Sequence, residues 1–458
     1  MAPLTPSRRL RIMAALADVV RCTRTSMRFL LNGVYLLLGF ALAPLVAYRL
    51  IRHGRYRRGW DHRFGAIRRR YTYRPCIWLH AVSVGEVNAA RSLVAEMERQ
   101  FDTYEIVIST TTDTGYARAE KLFSHKWTVF YFPFDFSPVI GRAFDRLNPT
   151  ICLLMELEVW PNFIFTAHER NVPVVVLNGR ISDRSFARYR RIKSLTRTFF
   201  GKLDLVLAQT AQYAERFREL GCPADRVIVT SSLKYDTAQV ADRIEGADAL
   251  ADQLGLTGQR LWVAGGTGND EEQMLLNAYK ALVQDERFAH LRLAIVPRKP
   301  ERFQEVAQLI EQMGLPIIRY SRLKGTNHRA EADSRAVILG DTMGDLRKFY
   351  SLADLIFVGR SLVPMGGSDM IEAAALGRCT IFGPHTFNFR QTVDALLEGG
   401  GAVRVQDGSD LETTVRKCLS EPDYASAIAR AGQEIIRRNQ GATARTMDLL
   451  RQVLQEQQ

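Results

Sequence analysis

The segment 78–86, Trp-Leu-His-Ala-Val-Ser-Val-Gly-Glu, sets a carboxylate where it can meet a substrate. The apolar run 77–82 reads as a buried parallel strand. It stops at Ser83-Val84-Gly85, and a helical pattern begins at Glu86. Such a strand-to-helix turn lies on the carboxyl edge of a sheet, where open α/β folds bind ligands. Gly85 suits a tight turn and leaves room for a substrate to approach the backbone. Two roles fit Glu86: a general base, or a carboxylate that complements the helix N-terminus.

Three further segments of the first half carry chemistry at strand ends. Residues 109–115, Ser-Thr-Thr-Thr-Asp-Thr-Gly, supply hydroxyls that cap a helix or face a ligand. In 155–162, Met-Glu-Leu-Glu-Val-Trp-Pro-Asn, Glu156 ends an apolar run and Pro161 suits the first turn of the next helix. An unpaired charge after a buried strand is costly, so this carboxylate needs a partner or a substrate. Positions 156 and 158 need not point the same way, and Glu156 is the one expected at a cleft. Residues 178–185, continuing to Arg188, Arg190 and Arg191, offer guanidinium groups for phosphate or carboxylate; a solvated basic helix face is the alternative. Lys234 follows the last strand of this half.

In the second half, Arg298 and Lys299 lie just beyond a strand, and Pro300 suits a helix start. Residues 340–346 form a loop running into a helix, whose free N–H groups can hold a phosphate. Residues 358–372 combine Gly366-Gly367, which permit close backbone approach, with Ser368 or Asp369 as a helix cap and Glu372 in the first turn, placed to accept from ribose hydroxyls. A Gly-rich turn, a helix and an early Glu in the second of two α/β domains suggest a nucleotide-sugar site.

The elements that must position these groups alternate between short apolar runs and helical patterns, as in parallel βα units. Expected strands are 77–82, 105–110, 128–132, 151–156, 172–178, 205–209 and 227–230, then 261–265, 291–297, 317–320, 337–340, 355–358, 379–382 and 403–405. The architecture expected is α/β, with two doubly wound Rossmann-like domains facing a cleft and an N-terminal membrane helix. Its parts would be a basic segment and anchor over 1–52, a first domain over 53–235, a linker over 236–259, a second domain over 260–424, and C-terminal helices over 425–458.

The 458 residues carry a net charge of +13, concentrated near the N-terminus. Six arginines between Arg8 and Arg28 precede the uncharged run 29–48, and ten between Arg49 and Arg74 follow it. That run is about long enough to cross a bilayer. The positive-inside bias puts residues 49–458 in the cytoplasm, with seating in the interface as the alternative. Arginines that hug an apolar segment suit anionic lipids of the inner membrane better than nucleic acid. The six cysteines are scattered without Cys-x-x-Cys pairs, against structural zinc or a disulfide framework. The chain has no Walker A motif, no Gly-x-Gly-x-x-Gly after a strand, no Gly-x-Ser-x-Gly and no Asp-x-Asp. ATP, NAD, serine hydrolysis and metal-assisted departure of a diphosphate therefore all lack their usual residues.

Taken in order, 80–86, 110–115, 156–162, 178–185, 233–235, 297–302, 343–345 and 361–372 resemble the 3-deoxy-D-manno-octulosonic acid (Kdo) transferase family. Its members are membrane-anchored GT-B glycosyltransferases that move Kdo from CMP-Kdo to lipid A precursors. The resemblance implies that Glu86 deprotonates the acceptor hydroxyl, and that Glu156 and Lys234 stabilise the transition state. It implies that Pro297, Arg298, Met343, Gly344, Asp345, Asp369, Met370, Ile371 and Glu372 surround the CMP moiety. Ser83, Arg180 and Arg184 would serve the acceptor, with neither metal nor cofactor. The chain departs from the family pattern in its donor half. Ser368-Asp369-Met370-Ile371 replaces the middle of Gly-Gly-His-Asn-Pro-Leu-Glu, Gly268 replaces a His after Thr267, and Arg360 replaces a Gly. These changes leave two other expectations open: a divergent member with another nucleotide sugar or lipid acceptor, and an inactive membrane-anchored glycolipid-binding protein.

Overall fold

The computed structural model describes residues 58–330 and 335–456, together with separated helical positions between 28 and 52. Every apolar run expected as a strand is one, with ends shifted by a residue or two. The first sheet contains β1 (Cys76–His80), β2 (Glu105–Thr110), β3 (Thr128–Tyr131), β4 (Ile151–Met155), β5 (Val174–Gly179), β6 (Leu205–Ala208) and β7 (Val227–Val229). The second contains β8 (Arg260–Thr267), β9 (Leu291–Pro297), β10 (Ile317–Arg319), β11 (Val337–Leu339), β12 (Leu355–Val358), β13 (Cys379–Phe382) and β14 (Val403–Arg404).

All pairings are parallel. Parallel strands are covered by helices on both faces, which is why they read as continuous apolar runs rather than alternating ones. In β1 every residue is buried. Trp78 packs on one face with Phe130, Phe144 and Phe163, while Ile77 and Leu79 pack on the other with Ile106, Ile108 and Leu153. Full burial of such side chains is worth about 1.5–3 kcal/mol each.

Strand order is β3-β2-β1-β4-β5-β6-β7 in the first sheet and β10-β11-β9-β8-β12-β13-β14 in the second. Each sheet is therefore doubly wound and reverses direction once, between β1 and β4 and between β8 and β12. Open α/β sheets bind ligands outside the carboxyl ends of the strands at such a reversal. The loops that the sequence marks most strongly, after β1, β4 and β12, all leave from these strands.

The chain divides into one unit of residues 1–233 with 441–458, and another of 234–440. Residues 236–259, expected as a linker, contain the helix Ala247–Leu254, whose Leu250 and Leu254 enter the second unit's core. The C-terminal helices are shared out. Pro422–Asn439 belongs to the second unit, whereas Ala442–Gln455 packs Met447, Leu450 and Leu454 into the core of the first.

The expected membrane helix lies partly outside the described residues. Positions 28–29, 31–37, 39–41 and 43–44 are helical, with Phe29, Leu36, Leu37 and Phe40 exposed. Among the described residues, no helix is long and apolar enough to cross a membrane.

Candidate active site

In the first unit, Ser83 caps the helix Val84–Ala89 and Glu86 is its third residue. The pair makes a variant of the capping box: Ser83 Oγ accepts from the Glu86 N–H, while the carboxylate reaches back. Glu86 accepts from the Val82 N–H at 2.9 Å and from the Ser83 hydroxyl at 2.8 Å. Gly85 sits inside the first helical turn rather than in a tight turn with positive φ. A Cβ built there would meet only Ser83 Oγ, at 3.8 Å, so the space beside it is open.

Glu86 is 9% exposed. Burial, then the charge of Glu156, pushes its carboxyl up to about 7, against the opposing hydrogen bonds from Val82 and Ser83. Glu156 leaves β4 at φ 55°, and its N–H donates to Leu177 O at 2.8 Å. A positive φ is uncommon for a residue other than glycine, and such strain gathers at functional sites. Glu156 and Glu158 both line one open recess of about 420 Å³. Trp160, Arg180, Ser182, Ser185 and Tyr189 complete its polar wall.

Glu158 is the site residue that the sequence undervalued. It accepts from the Trp160 indole N–H at 3.0 Å. Burial, then the charges of Glu86 and Glu156, raises its carboxyl to about 7. Behind it, His80 ends β1 fully buried, stacked on Phe132 with ring centroids 3.9 Å apart. Burial lowers its imidazole to about 3, so the ring is neutral.

Of the expected acceptor residues, Arg180 and Ser83 belong to this neighbourhood. Arg184 is exposed on the helix Asp183–Arg191, which buries none of its residues and turns Ser185 and Tyr189 to the recess. Asn178, also at positive φ, is a brace: its side-chain oxygen accepts from the Leu233 N–H at 3.1 Å.

In the second unit, Asp369 caps the helix Met370–Ala375 by accepting from the Ile371 N–H at 2.9 Å, while Ser368 donates to Gly266 O at 2.8 Å. Burial raises the Asp369 carboxyl, and the hydrogen bond from Ile371 and the charges of Lys234 and Arg298 oppose that rise. Burial and Asp369 raise Glu372, with Arg347 and Arg298 opposing. Lys234, Arg298, Asp369 and Glu372 are thus one electrostatic cluster. Arg298 follows the buried Pro297, donates its backbone N–H to Thr267 O and exposes its side chain.

Met370 and Ile371 are wholly buried in the core, because their short helix packs between sheet and helix. Met343 and Gly344 form an exposed turn, and Gly344 has φ 93° with open space around it. Asp345 is engaged by Thr342 at 2.6 Å and by Lys324 and Lys348. Gly366 serves a close approach, though not to a ligand: a Cβ there would lie 2.2 Å from the Asn388 amide.

The departures at 268 and 360 are in contact. A Cβ on Gly268 would lie 2.6 Å from Met365 Sδ and 3.0 Å from Arg360 Cγ. Arg360 itself has φ 60°. Glu271, which no sequence motif marks, ties the two loops at the reversal together. It accepts from the N–H groups of Gly268 at 3.0 Å, Ser361 at 2.7 Å, Leu362 at 2.9 Å and Arg360.

Residues 58–237 match the family described as 3-Deoxy-D-manno-octulosonic-acid transferase (kdotransferase). The 3-deoxy-D-manno-octulosonic acid transferase of Haemophilus influenzae is 33% identical over 434 residues, covering 93% of this chain and 99% of that protein. The Bordetella pertussis protein of the same description is 34% identical over 434 residues, covering 92% and 98%. A solved glycosyltransferase from Rickettsia africae ESF-5 is 13% identical with a TM-score of 0.54, covering 83% of this chain and 99% of that one. At that identity the likeness is one of fold. With a third of its residues identical to transferases matched almost end to end, the chain belongs to the 3-deoxy-D-manno-octulosonic acid transferase family.

Proposed function

We propose that this protein transfers Kdo from CMP-Kdo to a hydroxyl of a lipid A precursor, with Glu86 as the general base. The acceptor oxygen attacks the anomeric carbon of Kdo, its proton passes to Glu86, and the bond to the CMP phosphate breaks. One observation carries the assignment of the base. Glu86 is a buried carboxylate at the sheet reversal, beside Glu156, with its carboxyl near 7. A base poised there is ionised often enough at neutral pH and still basic enough to take a proton.

The first unit supplies the acceptor groups, including Ser83 and Arg180 in this proposal. The second supplies Lys234 and Arg298, cations suited to the phosphate that departs. Glu372 is suited to ribose hydroxyls. Work at the cytoplasmic face of the inner membrane, with anionic lipids against the N-terminal arginines, is part of the same proposal. So is chemistry that needs neither metal nor cofactor.

The test is transfer from CMP-Kdo generated in situ to a tetraacylated lipid A precursor, with wild type and Glu86→Ala compared. Transfer that collapses in the variant supports both donor and base. No transfer by folded wild type removes the Kdo assignment. A second nucleotide sugar is then the next candidate, motivated by the Gly268–Arg360 contact and the carboxylate of Asp369.

A further inference from the structure

His80 raises a question of hydrogen-bond supply. Its Nδ1 lies 3.1 Å from the Ser109 carbonyl oxygen, which only accepts, and 3.0 Å from Ser109 Oγ. Ser109 Oγ in turn accepts from the Trp78 indole N–H at 2.9 Å. A bare Nδ1 would set its lone pair against the carbonyl, so Nδ1 carries the proton of the neutral ring. Nε2 is then an acceptor. It is fully buried and has no hydrogen-bond partner. The acidic group nearest to it is the Glu158 carboxyl, with Oε2 at 4.0 Å, about 1 Å beyond hydrogen-bond distance. A carboxylate in that place would set negative charge against a lone pair. A carboxylic acid would donate to it.

We propose that Glu158 holds a proton for His80 Nε2 and thereby leaves the negative charge of the Glu86–Glu158 pair on Glu86. Glu158 is a positioning residue for the base, so the inference rests on the proposed role of Glu86.

The hydrogen bonds divide the two carboxyls in the same sense. Glu86 receives two donors that favour its charged form, Val82 N–H and Ser83 O–H, whereas Glu158 receives one, from Trp160. Burial raises both and the charge of Glu86 raises Glu158 further, so one proton shared between them goes to Glu158, the carboxyl with fewer donors, although its side chain is the more exposed at 23%. The other groups that face Glu158 are Glu156 on its own loop, Arg180 after β5, and Tyr189 from the helix Asp183–Arg191. Burial, then the charge of Glu158, holds the proton on Tyr189, while Arg188 opposes. Two carboxyls driven apart in this way titrate as a pair.

Two measurements on the full chain test the inference. In the first, imidazole 15N shifts of His-labelled protein report the tautomer of His80, the buried ring that does not titrate near neutral pH. The expected result is protonated Nδ1 and bare, hydrogen-bonded Nε2. The pattern should persist in Glu158→Gln, whose amide N–H can donate, and Nε2 should lose its hydrogen-bond shift in Glu158→Leu. Protonated Nε2 in wild type would overturn the inference.

The second is the pH profile of kcat/KM for transfer. Glu158→Gln keeps the donor and replaces an already neutral carboxylic acid, so it changes no charge that faces Glu86. Its acid limb should stay where wild type has it. A limb that moves down in Glu158→Gln shows a charged Glu158 in wild type and overturns the inference. If wild type transfers no Kdo, the proposed function fails instead. The 15N shifts need no turnover and still decide whether Glu158 donates to His80.

Discussion

Glu86→Gln should weaken catalysis and stabilise the protein at the same time, by an amount that grows with pH. The carboxyl lies near 7 in the folded chain against an ordinary 4.5. Between those values the folded state binds more protons than the unfolded state, so folding stability falls as pH rises through that window. The contribution is fully present below 4.5 and lost above 7. Integrating a single group with these two values from pH 5 to pH 8 gives a loss of roughly 2–3 kcal/mol in wild type. Gln does not titrate and escapes that loss. Its weaker hydrogen bonds to Val82 and Ser83 cost about 1 kcal/mol at either pH and cancel in the difference. Urea unfolding followed by Trp fluorescence is well suited, because Trp60, Trp78, Trp127 and Trp160 lie in the first unit and only Trp262 in the second. The stability of Glu86→Gln relative to wild type should be 2–3 kcal/mol greater at pH 8 than at pH 5, while kcat falls by roughly 10²–10⁴. An equal difference at the two pH values would refute the raised carboxyl, and with it the argument for the base.

Glu105 sits at 0% side-chain exposure with the Arg69 guanidinium 2.8 Å away, so Glu105→Ala strands a buried cation and should cost roughly 3–5 kcal/mol in the same urea assay. Gly268→His should impair donor binding by about tenfold or more, since its Cβ collides with Met365 and Arg360. Adding Arg360→Gly frees part of that space and relieves positive φ, and the double variant should recover much of the donor KM. Asp369→Asn removes a negative charge from the cluster of Lys234 and Arg298, and should lower the donor KM several-fold if the phosphate binds there. An unchanged KM would move the phosphate elsewhere.

The strands were legible because parallel strands buried on both faces are written as plain apolar runs. Their last residues were not, since Glu156 leaves β4, and Asn178 interrupts the end of β5, at positive φ. Asn adopts that conformation readily and Glu does not, so nothing in the residue type announces the turn at 156. Residue type alone does not tell where either carboxylate points once the strand has ended, and the structure sets Glu156 and Glu158 on one recess. Met370 and Ile371 stand in the expected donor set by motif position, and the structure adds that their side chains are core. The division of the C-terminal helices was illegible for another reason: an amphipathic helix shows that it packs, not on which of two cores. Glu271 was missed because, Gly268 apart, its partners are backbone N–H groups of residues about ninety positions away, which leave no mark on the sequence.

The helix cap that Glu86 forms and the general-base role proposed for it bear on one another. The third position of the capping box aims the carboxylate back at the Val82 N–H and the Ser83 hydroxyl. Both hydrogen bonds favour the ionised form, while burial and the charge of Glu156 favour the protonated one. Without the cap, the second pair of effects would leave the carboxyl too reluctant to ionise near neutrality. Without burial, the cap would leave it ionised and a poor base. Ser83→Ala removes one donor and leaves the carboxylate otherwise in place, so it should raise the acid limb of kcat/KM while lowering stability by about 1 kcal/mol. A cap with no catalytic consequence would lower stability and leave the limb where it was, and the two outcomes separate on a single pH series.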